Sequence, residues 1–234
     1  MQTVEIDLLK HIKETEFVLD SSKLNHLSGS VAIVGNSGNL LDHEYGELID
    51  SHDFVIRFNA APTKGYESNV GAKKNIRLIN SHMFWAVLDN THFDVEETAK
   101  IFSKFDRYAL YKIENEIIVV KNHVPPDQFT DVIKTVEEKN NKMLFIDEQQ
   151  HNLYGFLLNT YPTCGFFGLI FALKYFQKIS CFGFSFFEDG WEKRHYFEKI
   201  KPHDTSCHNF ENEKLFFHLL ADHNLIKIYP EAKV

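Results

Sequence analysis

The chain has 234 residues, 44% hydrophobic and 25% charged, which is the composition of a globular protein long enough for one well-buried domain. A formal charge of -8 provides no general basic face for a nucleic-acid duplex. The sequence holds no uninterrupted apolar run of roughly 18 residues, so no transmembrane segment is expected. Its three cysteines, Cys164, Cys181 and Cys207, cannot all pair within the chain. No disulfide framework is therefore expected, and a cytoplasmic setting is, with a peripheral place at a membrane left open. Twenty-two phenylalanines point to an aromatic-rich core.

Residues 4–19 read as an amphipathic helix, with Ile6, Leu9, Ile12 and Phe17 near one face. The mixed charge of Glu5 to Lys13 lacks the basic start and apolar block of a signal peptide. Packing on the domain suits this helix better than a membrane surface, which its acidic residues oppose. Residues 1–29 are thus expected as a helix and lead-in, and residues 30–234 as a single domain. Val31–Val34 is a short buried strand, Gly35–Asn39 a turn, and Leu40–Ile49 a short helix or irregular turn. Asp53–Phe58 and Asn75–Ile79 read as strands, and 80–105 as mixed helix and loop. Tyr108–Ile113 and Ile117–Val120 read as two further strands. Asp127 can cap a helix running to about Lys139. Met143–Ile146 is strand-like, Glu148–Thr160 helical, and Gly165–Phe176 a helix apolar almost all round and therefore buried. Ile179–Phe184, the helix His208–His223 and the strand Ile226–Tyr229 complete the order. Strands alternating with helices define an α/β chain with an open, mainly parallel sheet and helices on both faces.

Four segments could carry chemistry. In the turn Gly35-Asn36-Ser37-Gly38-Asn39, glycines would let backbone N–H groups approach a phosphate, and Asn36 could donate its amide. The turn is not the dinucleotide G-x-G-x-x-G and lacks the P-loop lysine, and a plain strand-to-helix turn is the alternative. Asn59, in Arg57-Phe58-Asn59-Ala60-Ala61-Pro62, stands at a strand's carboxyl end and either touches ligand or forms a turn. Thr163, before Cys164 and Gly165, is a helix N-cap whose neighbouring N–H groups suit a carboxylate or phosphate. Cys164 there could be a nucleophile of lowered pKa, although the sequence fixes no base beside it. Among 13 histidines, His195 and His208 stand out by position. A helix beginning at His208 would disfavour imidazolium and keep the ring neutral, as a general base requires. His203, Cys207 and His208 could instead hold zinc, but their spacing matches no standard zinc pattern.

Taken together, these segments resemble the four ordered sialylmotifs of glycosyltransferase family 29, the eukaryotic-type sialyltransferases. The large motif is similar to Val31–Gly71, including Val34–Leu40, Ile49–Pro62 and Val70-Gly71. The small motif is similar to Pro162–Gly165 continued through the helix to Cys181–Phe184. The third motif resembles His195-Tyr196-Phe197-Glu198, and the very small motif, His then Glu after four residues, resembles His208 and Glu213. The match covers roughly 30 to 213. The middle, about 80–160, carries no aligned motif and is where acceptor specificity usually lies.

The resemblance implies a Rossmann-like, GT-A-like domain and a CMP-sugar donor. It also implies inverting transfer to a hydroxyl of a galactoside-containing cell-surface glycan, with no required metal. It assigns His208 as general base and His195 as stabiliser of the departing CMP phosphate. Asn36, Ser37, Asn59, Thr163, Cys164, Gly165, Gly183 and Tyr196 would bind donor, and Glu213 would orient neighbours. Departures accompany it. Animal Golgi members join a cysteine at the head of the large motif to one in the small-motif helix, where this chain has Ser30 and about Phe176. An anchor and stem are not expected, and Thr163-Cys164-Gly165 stands where Ser-Thr-Gly is usual. These features point to a bacterial, viral or algal relative. Plant relatives are thought to transfer Kdo, so a CMP-Kdo-dependent transferase is the first alternative and a non-catalytic CMP-sugar-binding protein the second.

Overall fold

A computed structural model of the chain describes residues 12, 17–18, 24–80, 110–121, 130–146, 148–186, 188–199 and 207–230. Its strands are β1 (Phe17–Val18), β2 (Ser30–Val34), β3 (Phe54–Phe58), β4 (Ile76–Asn80), β5 (Ile117–Lys121), β6 (Lys142–Ile146), β7 (Lys178–Phe182) and β8 (Lys227–Tyr229). Its α-helices are α1 (Gly46–Asp50), α2 (Glu67–Val70), α3 (Thr130–Glu137), α4 (Glu148–Leu158), α5 (Cys164–Tyr175) and α6 (Phe210–Asp222). The strands form one sheet in the order β1-β6-β5-β4-β3-β2-β7-β8, parallel throughout except for β1 against β6.

Both faces of the sheet are covered, which is why its strands are almost continuously apolar. On one face Ile33, Ile56, Leu78 and Val119 meet α4, α5 and α6 through Tyr154, Phe171 and Phe217. On the other, Val55 and Val34 pack with Ile49 of α1 and Val70 of α2, and Ile118 packs with Val132 and Val136 of α3. The chain adds β3 to β6 on one side of β2, then returns to add β7 and β8 on the other. The strand order therefore reverses between β2 and β7, and the carboxyl ends of these two strands bound the crevice where such sheets bind ligands.

Several expectations are changed. Leu110–Lys112 is a 3-10 turn, not part of a strand over Tyr108–Ile113. Leu110 and Ile113, three residues apart, bury into the same cluster, and the Ile113 N–H donates to the Leu110 carbonyl at 3.3 Å. Phe17–Val18 pairs with Phe145–Ile146 as an edge strand, so the helix expected over 4–19 does not reach that far. Ile12 is helical and fully buried, and the remainder of that segment lies outside the described residues. Asp127, His203 and most of 80–105 also lie outside them. Finally, α6 begins at Phe210 behind its cap Asn209, whose side chain accepts from Asn212 N at 3.1 Å. His208 therefore precedes the helix rather than opening it.

All three cysteines are free. Where the family's bridge would stand, Ser30 Oγ donates to Asp53 at 2.7 Å, and Phe176 lies against Phe54 with ring centroids 5.3 Å apart. The backbone N–H groups of Gln177 and Lys178 both donate to the Gly29 carbonyl, so noncovalent contacts join these segments.

Candidate active site

The turn after β2 crosses directly over the end of β7. Gly35 N–H donates to Phe182 O at 2.7 Å, and Ser37 N–H to Gly183 O at 3.2 Å. A Cβ at Gly35 would press into the Gly183 carbonyl, and one at Gly183, itself at φ +71°, would stand 2.6 Å from Leu40 Cδ1. Both glycines are thus required by backbone proximity. Ser37 is buried and caps the following 3-10 turn, accepting from Asn39 N at 3.2 Å. Its hydroxyl is occupied by local structure. Asn36 differs: its Oδ1 is buried and, among the described residues, makes no hydrogen bond. An orphaned polar atom of this kind marks a position that a ligand can complete.

The third motif is laid across this turn. Tyr196 N–H donates to Asn36 O at 2.9 Å, and its phenol donates to Pro62 O. Burial pushes the Tyr196 phenol up to about 12. Tyr196 is therefore a clamp between two turns of the large motif, with its hydroxyl already committed. Lys193 secures the same segment through an ion pair with Asp42 at 2.7 Å. These contacts hold His195 beside the β2 turn. Its Nδ1 lies 2.8 Å from Glu198 Oε1, and its ring stacks on Phe197. The Glu198 carboxylate orients the ring.

Asn59 follows β3 in the left-handed region, at φ +49°, which asparagine tolerates better than most residues. Its Oδ1 accepts from Asn80 N at 2.9 Å, and its carbonyl from Arg77 Nη1 at 2.7 Å. Among the described residues nothing engages its Nδ2, which leaves that donor for a ligand. Beneath it, Arg57 is buried and donates to Lys73 O at 2.9 Å and Val70 O at 2.8 Å. Burial lowers the Arg57 guanidinium to about 10, still a cation at neutral pH. Asp50 accepts from Ala72 N and Lys73 N at 2.8 and 2.9 Å. The far end of the large motif is thus a brace for the strand that presents Asn59.

The segments that carry Thr163 and Glu213 interlock. Thr163 caps α5, its Oγ1 accepting from Phe166 N at 3.1 Å. Glu213 accepts from Thr163 N at 2.7 Å and from Thr163 Oγ1 at 2.6 Å. Burial outweighs these bonds and raises the Glu213 carboxyl to about 7. His208 Nδ1 lies 2.6 Å from Tyr161 O, an acceptor only. The proton therefore sits on Nδ1, which makes Nε2 the basic nitrogen of the neutral ring. Gly165 lies against Phe184, just beyond β7, so the start of α5 reaches the same sheet edge as the β2 turn. Cys164 is no activated nucleophile: burial raises its thiol to about 11. Among the described residues no group of three or more His, Cys, Asp or Glu is placed to hold a metal ion.

A mainly parallel open sheet whose strand order reverses between β2 and β7, with the Gly35–Asn39 turn at the carboxyl end of β2, is the framework on which nucleotide ligands are bound. The family model for glycosyltransferase family 29 (sialyltransferase) matches residues 4–225, and the chain belongs to that family. It is 31% identical over 209 residues to the chimpanzee (Pan troglodytes) CMP-N-acetylneuraminate-beta-galactosamide-alpha-2,3-sialyltransferase 1, covering 85% of this chain and 57% of that protein. It is also 31% identical to the human (Homo sapiens) protein of the same name, with the same coverage. The chain thus spans little more than half the length of these relatives. A crystal structure of a mammalian sialyltransferase superposes with a TM-score of 0.62 at 24% identity, covering 87% of this chain and 69% of that one. The Rossmann-like, GT-A-like fold is shared with it. No helix among the described residues is long and apolar enough to cross a membrane.

Proposed function

We propose that this chain transfers sialic acid from CMP-sialic acid to a hydroxyl of a β-galactoside glycan, with inversion at the anomeric carbon. The observation that carries this reading is the hydrogen bond that fixes the His208 tautomer, 2.6 Å from Nδ1 to Tyr161 O. In the neutral ring this bond makes Nε2 the basic nitrogen, the one a general base requires.

In the reaction, His208 Nε2 takes the proton of the acceptor hydroxyl as that oxygen bonds to the anomeric carbon. The bond from this carbon to the CMP phosphate breaks on the opposite face, through an oxocarbenium-like state. His195, held by Glu198, meets the charge gathering on the departing phosphate, as preorganised donors do in such sites. Asn36 and Asn59 hold the nucleotide, and the Gly35–Asn39 turn and the α5 N-terminus add backbone N–H groups. Charge is neutralised by protein groups, so no metal enters this scheme. Glu213 and Tyr196 position and do not react. Three free thiols fit a reducing compartment, and residues 30–234 act as one catalytic unit.

The test is incubation with CMP-Neu5Ac and CMP-Kdo separately, measuring CMP release with and without a β-galactoside. Acceptor-stimulated release from CMP-Neu5Ac is expected. Preference for CMP-Kdo would reassign the donor, and binding without turnover of either would make the chain a CMP-sugar-binding protein.

A further inference from the structure

Lys121 ends β5, and it is the one charged residue that terminates a strand of the sheet among the described residues. Strand alternation decides where it points. Ile117 and Val119 are buried in the cluster beneath α5, so Lys121 stands on that same face, half-buried at the carboxyl edge. Its partner across the parallel ladder is Asn80, whose N–H is held by the Asn59 side chain. Lys121 therefore continues a row that runs from the β3 turn along the edge and faces the start of α5. Its ammonium acts electrostatically on Cys164 and Glu213, drawing both below the values that burial alone would give. It forms no ion pair with a described residue.

The geometry points to Lys121 as a contact for an anionic group of the donor, either its phosphate or its sugar carboxylate, supplied from a strand that no sialylmotif covers. The positive end of α5 acts at the same place, and a doubly anionic donor needs more cationic character than one imidazole provides. The inference rests on the transferase reading, but binding can be measured without turnover.

The experiment is calorimetric titration of wild type, Lys121→Met and Lys121→Arg with CMP and with CMP-Neu5Ac. Lys121→Met is expected to bind CMP-Neu5Ac about tenfold more weakly, with Lys121→Arg recovering most of the loss. A parallel loss for CMP assigns the phosphate; a loss confined to CMP-Neu5Ac assigns the carboxylate. Unchanged affinities in Lys121→Met would overturn the contact, including where its melting temperature shifts, because Lys121 would then serve only to offset Glu213. A wild type that binds CMP yet turns over no donor would sink the transferase reading and leave the contact to be decided by the same titrations.

Discussion

His208 and Tyr161 hold each other from both sides. The His208 ring donates to the Tyr161 carbonyl at 2.6 Å, and the Tyr161 N–H donates back to the carbonyl of Cys207 at 3.1 Å. Thr160 Oγ1 reaches the same Cys207 carbonyl at 2.7 Å. Two residues beyond Tyr161, Thr163 is gripped by Glu213. The spacing of His, four residues and Glu thus measures the distance between two clasps on one short segment. His208 and the cap of α5 are therefore positioned as a unit.

Glu213 should impose a pH dependence on stability. Its folded pKa is raised from 4.5 to about 7, chiefly by burial. Between those values the folded state holds a proton that the unfolded state has lost, so stability falls as pH rises through this window. The contribution is of order 3 kcal/mol. Glu213→Gln should flatten the curve of melting temperature against pH from about 4.5 to 7.5 relative to wild type. Parallel curves for the two proteins would mean that Glu213 ionises normally.

Asn36→Ala should weaken CMP binding by about tenfold, the loss of one well-placed hydrogen bond to a desolvated ligand. The fold should survive, because the Asn36 Oδ1 makes no hydrogen bond with a described residue. Calorimetry with unchanged CMP affinity would remove Asn36 from the site.

Gly35→Ala tests the crossing of β2 and β7. The added methyl would collide with the Gly183 carbonyl, which is backbone and cannot rotate away. A destabilisation of about 1–3 kcal/mol is expected in denaturant melts, together with loss of CMP binding. Wild-type stability would show that the two turns lie further apart than described.

Much of the site could be read from sequence because its parts are local. The Gly35–Asn39 turn, the Asn59 position and the Thr163 cap each sit within a few residues of the strand or helix that presents them. What sequence concealed is non-local. Tyr196 looks like a ligand contact, yet its hydroxyl is taken by Pro62, which is 134 residues away in the chain. Glu213 reaches Thr163 across 50 residues, and no periodicity encodes that bond. Lys121 closes an ordinary apolar strand, and nothing local distinguishes it from a solvated lysine. Among the elements, Tyr108–Ile113 alternates like a strand, but Leu110 and Ile113 bury together as one turn. Phe17–Val18 fits a helical face, and the open edge of β6 claims it instead.

The proposed reaction stands or falls on a transferase site with His208 as its base. Acceptor-dependent CMP release from saturating CMP-Neu5Ac, compared between wild type and His208→Ala, tests it most directly. Wild type should release CMP in a way that a β-galactoside stimulates, with turnover about 10²–10⁴ lower in the variant and donor affinity little changed. Full turnover by His208→Ala, or no release by wild type in the presence of acceptor, would contradict it.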